Sequence, residues 1–582
     1  MASLLNSEID LSRQPDTKGC SKPPMSSFWL TVFVCTLGIA WLLPNHYPPW
    51  TSFHSDLWSA ITWGLAAFVV ILRRELPIYW HPTAVLVACL ACVPWLQYSI
   101  GLIDFAGQAW LSTIFILGLL LGLLVGQRWE QACPDQLIDG LFLAIGIASV
   151  LSVSLQLQAW LGLMDTGVFD IWWMGLSGNR PYANLGQPNQ LATLLLWGIL
   201  ATAWGYTKKK IGVGVSLLLI SYLLIGIALT QSRTAWLALT LLLTSTWVWR
   251  GLWSSRWVPW FVTGLFLGFL ALPTVLKEIS DLLLLASDQS YFRDPMQEQL
   301  RPLAWRLFLQ AAWDQPWHGY GWAPVGHAQL TVAQFFSPLF GTFTQSHNLF
   351  LDLVLWLGLP MGLFVSVFLI WNLLSYFQRV SNAKDAILLL FLGVVGIHAM
   401  LELPLHYAYF LLPTGMVIGV LNQRLGGASL FSTPRWSAML LWLCSMALLA
   451  LVIVDYFKIE SGFQKVRFEL ARVGTLPIGK PVKVVLLDQL SELIDFIRFE
   501  PEKNMTQEKL AWMVRVTNAY PTGSSVYKTA RAFALNAQPE EAQLWLTKIC
   551  KISPVEECNS SRNVWGQEAL SNPSIALVQW PN

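Results

Sequence analysis

The chain has 582 residues, 55% of them hydrophobic and only 12% charged, with a net charge of +2. That charged share is about half of what a soluble domain carries, which excludes a protein dissolved in water. The near-neutral balance, with no basic cluster interleaved with aromatics, gives no nucleic-acid groove. Among the 32 Trp, Trp41, Trp50, Trp80, Trp95, Trp110 and Trp129 stand where apolar runs end, as aromatic belts do at membrane boundaries.

In chain order, residues 1–26 form a mostly polar tail without a small-residue cleavage site, so the first apolar run is predicted to stay as a span. About thirteen runs long enough to cross a hydrocarbon core of about 30 Å follow. They lie near 27–43, 57–72, 82–99, 109–126, 137–160, 190–206, 211–230, 234–249, 257–275, 358–377, 385–401, 408–423 and 437–455. The fold class is therefore an all-α polytopic membrane helix bundle. Arg13, Lys18 and Lys22, then Arg73 and Arg74, Arg128, Lys208 to Lys210, Arg250 and Arg256, Arg379 and Lys384, and Arg424 and Arg435 fall in the tail and in alternate loops. The positive-inside rule places those segments in the cytoplasm. The remaining loops, 46–56, 165–189, 231–233, 277–345 and 402–407, face outward and carry the distinctive polar residues. Three units result: the tail 1–26, a membrane domain 27–455 with the large outer loop 277–345, and an outward C-terminal domain 456–582. In a bacterium with two membranes, the chain is a multi-pass inner-membrane protein with its chemistry facing the periplasm.

The C-terminal domain reads as helical, because Val484, Leu487, Leu490, Leu493 and Ile494 recur at spacings of three and four. Its segment 530–546 is similar to one helix-turn-helix of a tetratricopeptide array. Cys35, Cys89, Cys92 and Cys444 lie in apolar runs as small filler, and the CxxC of Cys89 and Cys92 has no His or acidic neighbour to complete a metal site. Cys550 and Cys558 are the one pair in polar surroundings, and in an oxidising compartment they are predicted to form a disulfide.

The outward loops hold the candidate chemistry. Residues 178–192, GNRPYANLGQPNQLA, keep an irregular backbone beside a span start, which membranes tolerate only against protein or water. Arg180, Tyr182, Asn184, Gln187, Asn189 and Gln190 there offer donors and acceptors to a polar ligand. Gln231, Ser232 and Arg233 separate two apolar runs and hold a permanent cation at the membrane edge. A guanidinium matches phosphate oxygens bidentately, and a polyprenyl diphosphate headgroup sits at that depth. In the long loop, Arg301, Trp305 and Arg306 are candidates for one helical face, and Gly319 to Gly321 for a tight turn bringing backbone near a ligand. His347 and Asn348 stand at the outer lip of the next apolar helix. The imidazole of His347 has the right chemistry to deprotonate or orient an acceptor hydroxyl. His398, Glu402, His406, Tyr407 and Tyr409 lie where two spans turn, and Glu402, flanked by leucines, calls for an arginine partner.

Together and in this order, these motifs resemble the O-antigen ligase superfamily, most closely its PglL-type branch of bacterial protein O-oligosaccharyltransferases. The resemblance implies en bloc transfer of a glycan from undecaprenyl diphosphate to a Ser or Thr hydroxyl of a periplasmic protein such as a type IV pilin. No cofactor or metal is implied. It also implies that His347 and Arg233 are the catalytic pair. Arg180, Gln187, Asn189, Arg301 and Tyr407 or Tyr409 bind the donor, supported by Tyr182, Asn348 and Glu402. One departure is Trp356, which stands where relatives often carry Glu, so no role of that acid transfers. Ligation of O-antigen to lipid A core, or polymerisation of repeats, uses the same donor chemistry on other acceptors. A lipid or solute transporter is the alternative of another class, and it lacks the usual sequence pointers, a repeat between halves and charges deep in spans.

Overall fold

Every predicted apolar run falls on helix. The first half of the computed structural model holds α1 (Ser27–Leu42), α2 (Phe53–Ile71), α3 (Pro82–Leu90), α4 (Val93–Ser99), α5 (Ala106–Ala132), α6 (Gln136–Trp160), α7 (Pro188–Thr207), α8 (Val213–Thr230), α9 (Arg233–Val248) and α10 (Val258–Leu282). The outer loop contributes α11 (Leu300–Asp314) and α12 (Val325–Val332), and the bundle closes with α13 (Leu349–Arg379), α14 (Ala383–Ala399), α15 (Ala408–Leu425) and α16 (Arg435–Leu470). Beyond it come α17 (Asp488–Arg498), α18 (Gln507–Ala519), α19 (Gly523–Leu535), α20 (Pro539–Ile552), α21 (Val555–Ser571) and α22 (Pro573–Ala576). The structure describes residues 27–71, 77–163, 172–175, 180–285, 300–472 and 480–581. The tail with Arg13, Lys18 and Lys22, the pair Arg73 and Arg74, and loop residues 286–299 lie outside these. Among the described residues, eight helical segments are long and apolar enough to cross a membrane, so the chain is an all-α polytopic membrane protein. A short antiparallel pair, β1 (Ile78–Trp80) with β2 (Phe431–Thr433), ties two loops.

Three boundaries differ from the sequence reading. The run 82–99 is two helices, α3 and α4, because Pro94 follows closely on a turn at Ala91 and Cys92. Helix α10 runs past residue 277 to Leu282, so the outer loop begins later. Helix α16 crosses the proposed domain boundary at 455 and 456 without a break, since no proline interrupts it before Leu470. Its outer part is polar, so hydropathy ends where the helix does not.

The bundle is set by close backbone approach at glycine. Gly118, Gly122 and Gly126 of α5, four residues apart, face Gly415 and Gly419 of α15. A Cβ added at Gly126 would meet the Met416 carbonyl at 2.1 Å, and one at Gly419 would meet the Leu123 carbonyl at 2.0 Å. Small residues let membrane helices pack by direct van der Waals contact where no hydrophobic effect drives them together. Deeper in, the Trp197 ring of α7 stacks on Phe391 of α14 at 3.9 Å and donates to the Phe391 carbonyl. The α5–α15 seam fixes α15, and Asp56 of α2 then caps its outer end by accepting from Ala408 N at 2.6 Å.

The two ends of the bundle differ in kind. At one end Arg424 pairs with Glu130, Asp135 and Asp385, and Lys208 and Lys384 pair with Asp135. Burial alone would raise the Asp135 carboxyl, but Lys384, Arg424 and Lys208 hold it at about 2. These residues all border the loops that carry the excess of Lys and Arg, and the structure gathers them on one face. The outward motifs meet at the other end.

Candidate active site

Four polar groups from three separate chain segments converge on Glu402 in the turn between α14 and α15. Arg301 of α11 pairs with its Oε1, and Asn189 Nδ2 donates to the same oxygen at 3.1 Å. Gln187 Nε2 donates to Oε2 at 3.2 Å, and His347 Nδ1 lies 3.4 Å from Oε2. At that separation the His347 contact is a close approach rather than an aligned hydrogen bond, and Nδ1 is buried. Glu402 itself is 7% exposed. Burial would raise its carboxyl, but His347 and Arg301 outweigh that and hold it below the usual range. The acid the sequence required to find an arginine pairs with Arg301.

His347 is held by its neighbours as well as by its own approach to Glu402. Ser346, fully buried, donates from N to Asp352 Oδ1 at 2.7 Å and from Oγ to the Asn348 carbonyl at 3.0 Å, while its own carbonyl accepts from Trp305 Nε1 at 2.9 Å. His347 sits at φ +60, a left-handed conformation uncommon for a non-glycine residue that persists only when the surroundings impose it. Its ring meets the edge of Phe343 at 5.6 Å. With Nδ1 turned to Glu402, Nε2 has no protein partner among the described residues and is the ring nitrogen left accessible.

The loop after α6 supplies the next ring of contacts. Asn189 Oδ1 accepts from Ser232 Oγ at 2.7 Å and lies 3.5 Å from Arg180 Nη2, whose Nε donates to the Thr230 carbonyl. Glu402 is thereby connected to the corner between α8 and α9. Arg233 is the first residue of α9, exposed, and makes no hydrogen bond or ion pair among the described residues. Ser232 caps α9 by accepting from Ala235 N, so the positive end of the helix dipole adds to the Arg233 charge.

Several candidates have partners within the protein. Tyr182 donates to the Gly175 carbonyl, and Asn184 is buried with Nδ2 on the Leu42 and Trp172 carbonyls. Asn348 caps α13 through Phe350 N and Leu351 N. Arg306 does not share the face of Arg301 and Trp305, because five residues along a helix is a rotation of about 140°, and it is exposed. Tyr409 is buried with its hydroxyl on Gln190 Oε1, whereas Tyr407 is the half-buried tyrosine at the mouth. The glycine turn packs on protein: a Cβ at Gly319 would meet the Leu355 carbonyl at 2.3 Å, and one at Gly358, φ +78, would meet the Trp317 carbonyl group at 2.5 Å. That turn docks into a break in α13 at Gly319, while Gly321 lies against Leu102 and Ile103. Trp356, beside this break, lies against the tilted rings of His406 at 5.6 Å and Trp322 at 5.2 Å. Sequence reasoning missed Asp352, whose signal was an acid in an apolar helix start.

Comparison with known proteins gives three matching family models: Protein glycosylation ligase over residues 181–204, O-Antigen ligase over 216–366, and Virulence factor membrane-bound polymerase, C-terminal, over 386–566. The chain is 27% identical over 547 residues to the General O-oligosaccharyltransferase of Acinetobacter baylyi, covering 90% of this chain and 92% of that protein. It is 26% identical over 439 residues to the ComP-specific O-oligosaccharyltransferase of the same organism, covering 74% and 78%.

Proposed function

We propose that this chain, a membrane glycosyltransferase of the O-antigen ligase superfamily, transfers an oligosaccharide from undecaprenyl diphosphate to a Ser or Thr hydroxyl of a periplasmic protein, a type IV pilin being the favoured acceptor. The observation that carries the reading is the convergence of Gln187, Asn189, Arg301 and His347 on one buried carboxylate.

In this mechanism the acceptor hydroxyl attacks the anomeric carbon, the bond from that carbon to the diphosphate oxygen breaks, and the hydroxyl proton passes to His347 Nε2. Glu402 faces Nδ1, fixes the ring orientation and offsets the positive charge the ring gains, which is the logic of a carboxylate behind a histidine base. Arg233 at the α9 N-terminus, with Arg180 beside it, receives the departing diphosphate. A diphosphate is already a good leaving group, so positioning and charge balance are the main work of the site. Tyr407 and Gln187 border the glycan. The active site then faces the periplasm from the inner membrane, and residues 1–26 lie in the cytoplasm.

Match to an O-antigen ligase model over residues 216–366 favours a second reading, ligation to lipid A core or polymerisation, which shares every donor contact. Co-expression with a glycan cluster and a pilin in a bacterium lacking its own ligases separates the two. An intact-mass increment of one whole glycan on the pilin supports the protein acceptor. Glycan appearing only on lipopolysaccharide refutes it.

A further inference from the structure

The C-terminal helices do more than extend outward, because they grip the loop that ends in His347. Three contacts make the grip. Gly326 in α12 lies so close to the turn before α19 that a Cβ there would meet Pro521 Cγ at 2.6 Å. Leu330 and Ala333 are buried in the same apolar cluster as Val516, Val526 and Ile549. Lys551, the residue after Cys550, donates from Nζ to the Phe336 carbonyl at 2.8 Å, and its own carbonyl accepts from Leu339 N at 3.0 Å.

The same helix also reaches the catalytic loop. Gln329, 1% exposed, donates from Nε2 to the Gly341 carbonyl at 2.9 Å and accepts on Oε1 from Phe343 N at 2.8 Å. Phe343 is the ring against His347. Contacts therefore run unbroken from α20 through Lys551 to 336–339, and from the C-terminal core through α12 and Gln329 to 341–343 and His347. The end of α20 is itself closed, since Cys550 is joined to Cys558 of α21 on either side of Lys551 and the turn that follows it.

We infer that Lys551, at the disulfide-closed end of α20, is a positioning residue that clamps the 336–343 loop and so fixes the left-handed His347 against Glu402. The inference rests on the reading of His347 as the group that handles the acceptor hydroxyl. Residues 336–343 have no regular secondary structure. Such a segment moves unless tied down, and displacing a catalytic group by about 1 Å costs up to about a hundredfold in rate.

The test uses the full chain in nanodiscs with an undecaprenyl-diphosphate-linked oligosaccharide and a pilin acceptor, comparing wild type, Lys551→Met, Lys551→Arg and His347→Ala. Lys551→Met keeps the apolar stem and loses the donor to Phe336. The expected result is a tenfold to hundredfold lower turnover at unchanged donor KM, faster amide hydrogen exchange confined to residues 336–346, and substantial recovery in Lys551→Arg. Wild-type turnover in Lys551→Met, with His347→Ala inactive, overturns the clamp and leaves the His347 reading standing. Wild-type turnover in His347→Ala overturns that reading itself. Faster exchange throughout the bundle in Lys551→Met makes the residue a general stabiliser and also overturns the clamp.

Discussion

Replacing Glu402 by Gln tests whether one buried carboxylate organises the site. The side chains are nearly equal in volume, so packing is unchanged, but one acceptor oxygen becomes an NH2 donor facing groups that already donate. Arg301, Asn189, Gln187 and His347 would compete for one oxygen. Breaking a buried ion pair from one side costs about 3–5 kcal/mol. The Arg301 side chain keeps 32% of its surface exposed, so water solvates part of the freed charge and the expected loss is about 1–3 kcal/mol. The catalytic loss is larger, about a hundredfold or more in turnover, because the imidazole loses both its orientation and its counter-charge. The pH dependence has a definite sign. A carboxyl held below its usual value contributes stability that is present above its unfolded value near 4.5 and lost as pH falls through the lower folded value. The melting difference between wild type and Glu402→Gln should therefore shrink below about pH 4.5. Tryptophan-fluorescence melting in detergent and product per inserted enzyme are the measurements. A variant with wild-type turnover and a wild-type melting temperature at pH 7 would refute Glu402 as the organiser.

Three further expectations are simpler. His347→Ala should insert, accumulate and bind the lipid-linked donor normally while losing about a hundredfold to ten-thousandfold in turnover; recovery by His347→Gln would reassign it to orienting the hydroxyl. Non-reducing peptide mapping should recover Cys550 and Cys558 in one linked fragment of 550–558, and two free thiols in native protein would exclude the bridge. A reporter active only in the periplasm should work when fused after Asn582, and activity of a cytoplasmic reporter there instead would mean a miscounted span.

Helix content and helix positions were legible because a bilayer imposes a strong constraint, about 20 apolar residues in a row having few alternatives, although about thirteen runs were read as spans and eight helical segments among the described residues are long and apolar enough to cross. Boundaries were less so where the helix outlasted the bilayer, as in α16, whose outer part is polar. The cluster around Glu402 was legible in its members and illegible in its pairing. That Glu402 needed a cation followed from its leucine neighbours, but which cation depends on a contact 101 residues away. Tyr182 and Asn184 read as groups offered to a ligand because an amide or phenol in a loop reads the same whether it faces a substrate or a carbonyl of its own backbone. In the Gly319–Gly321 turn the close backbone approach was legible but its partners were not: Gly319 packs on α13 and Gly321 on Leu102 and Ile103. The α5–α15 seam was written in plain view as glycines four apart, Gly118, Gly122 and Gly126, a spacing that carries packing information only once the facing helix is known.

The three arginines of the site are not equivalent, and their partners say which of them is free to meet a diphosphate. Arg301 is committed to Glu402, and diverting it to a ligand would leave that carboxylate short of its main cation. Arg180 bonds the Thr230 carbonyl and approaches Asn189. Arg233 alone of the three has no hydrogen bond or ion pair among the described residues, and it starts a helix, at the positive end of that helix's dipole. Arg301→Gln should therefore act through the same pair as Glu402→Gln: the double variant should be little worse than either single one, the non-additivity expected of residues that act as a unit. Arg233→Lys should behave differently. It keeps a charge but replaces two parallel hydrogen bonds by one point contact, lowering turnover about tenfold or more, and its effect should add to that of Glu402→Gln. Full additivity between Arg301→Gln and Glu402→Gln, or wild-type turnover in Arg233→Lys, would show that the division of labour among these arginines has been read the wrong way round.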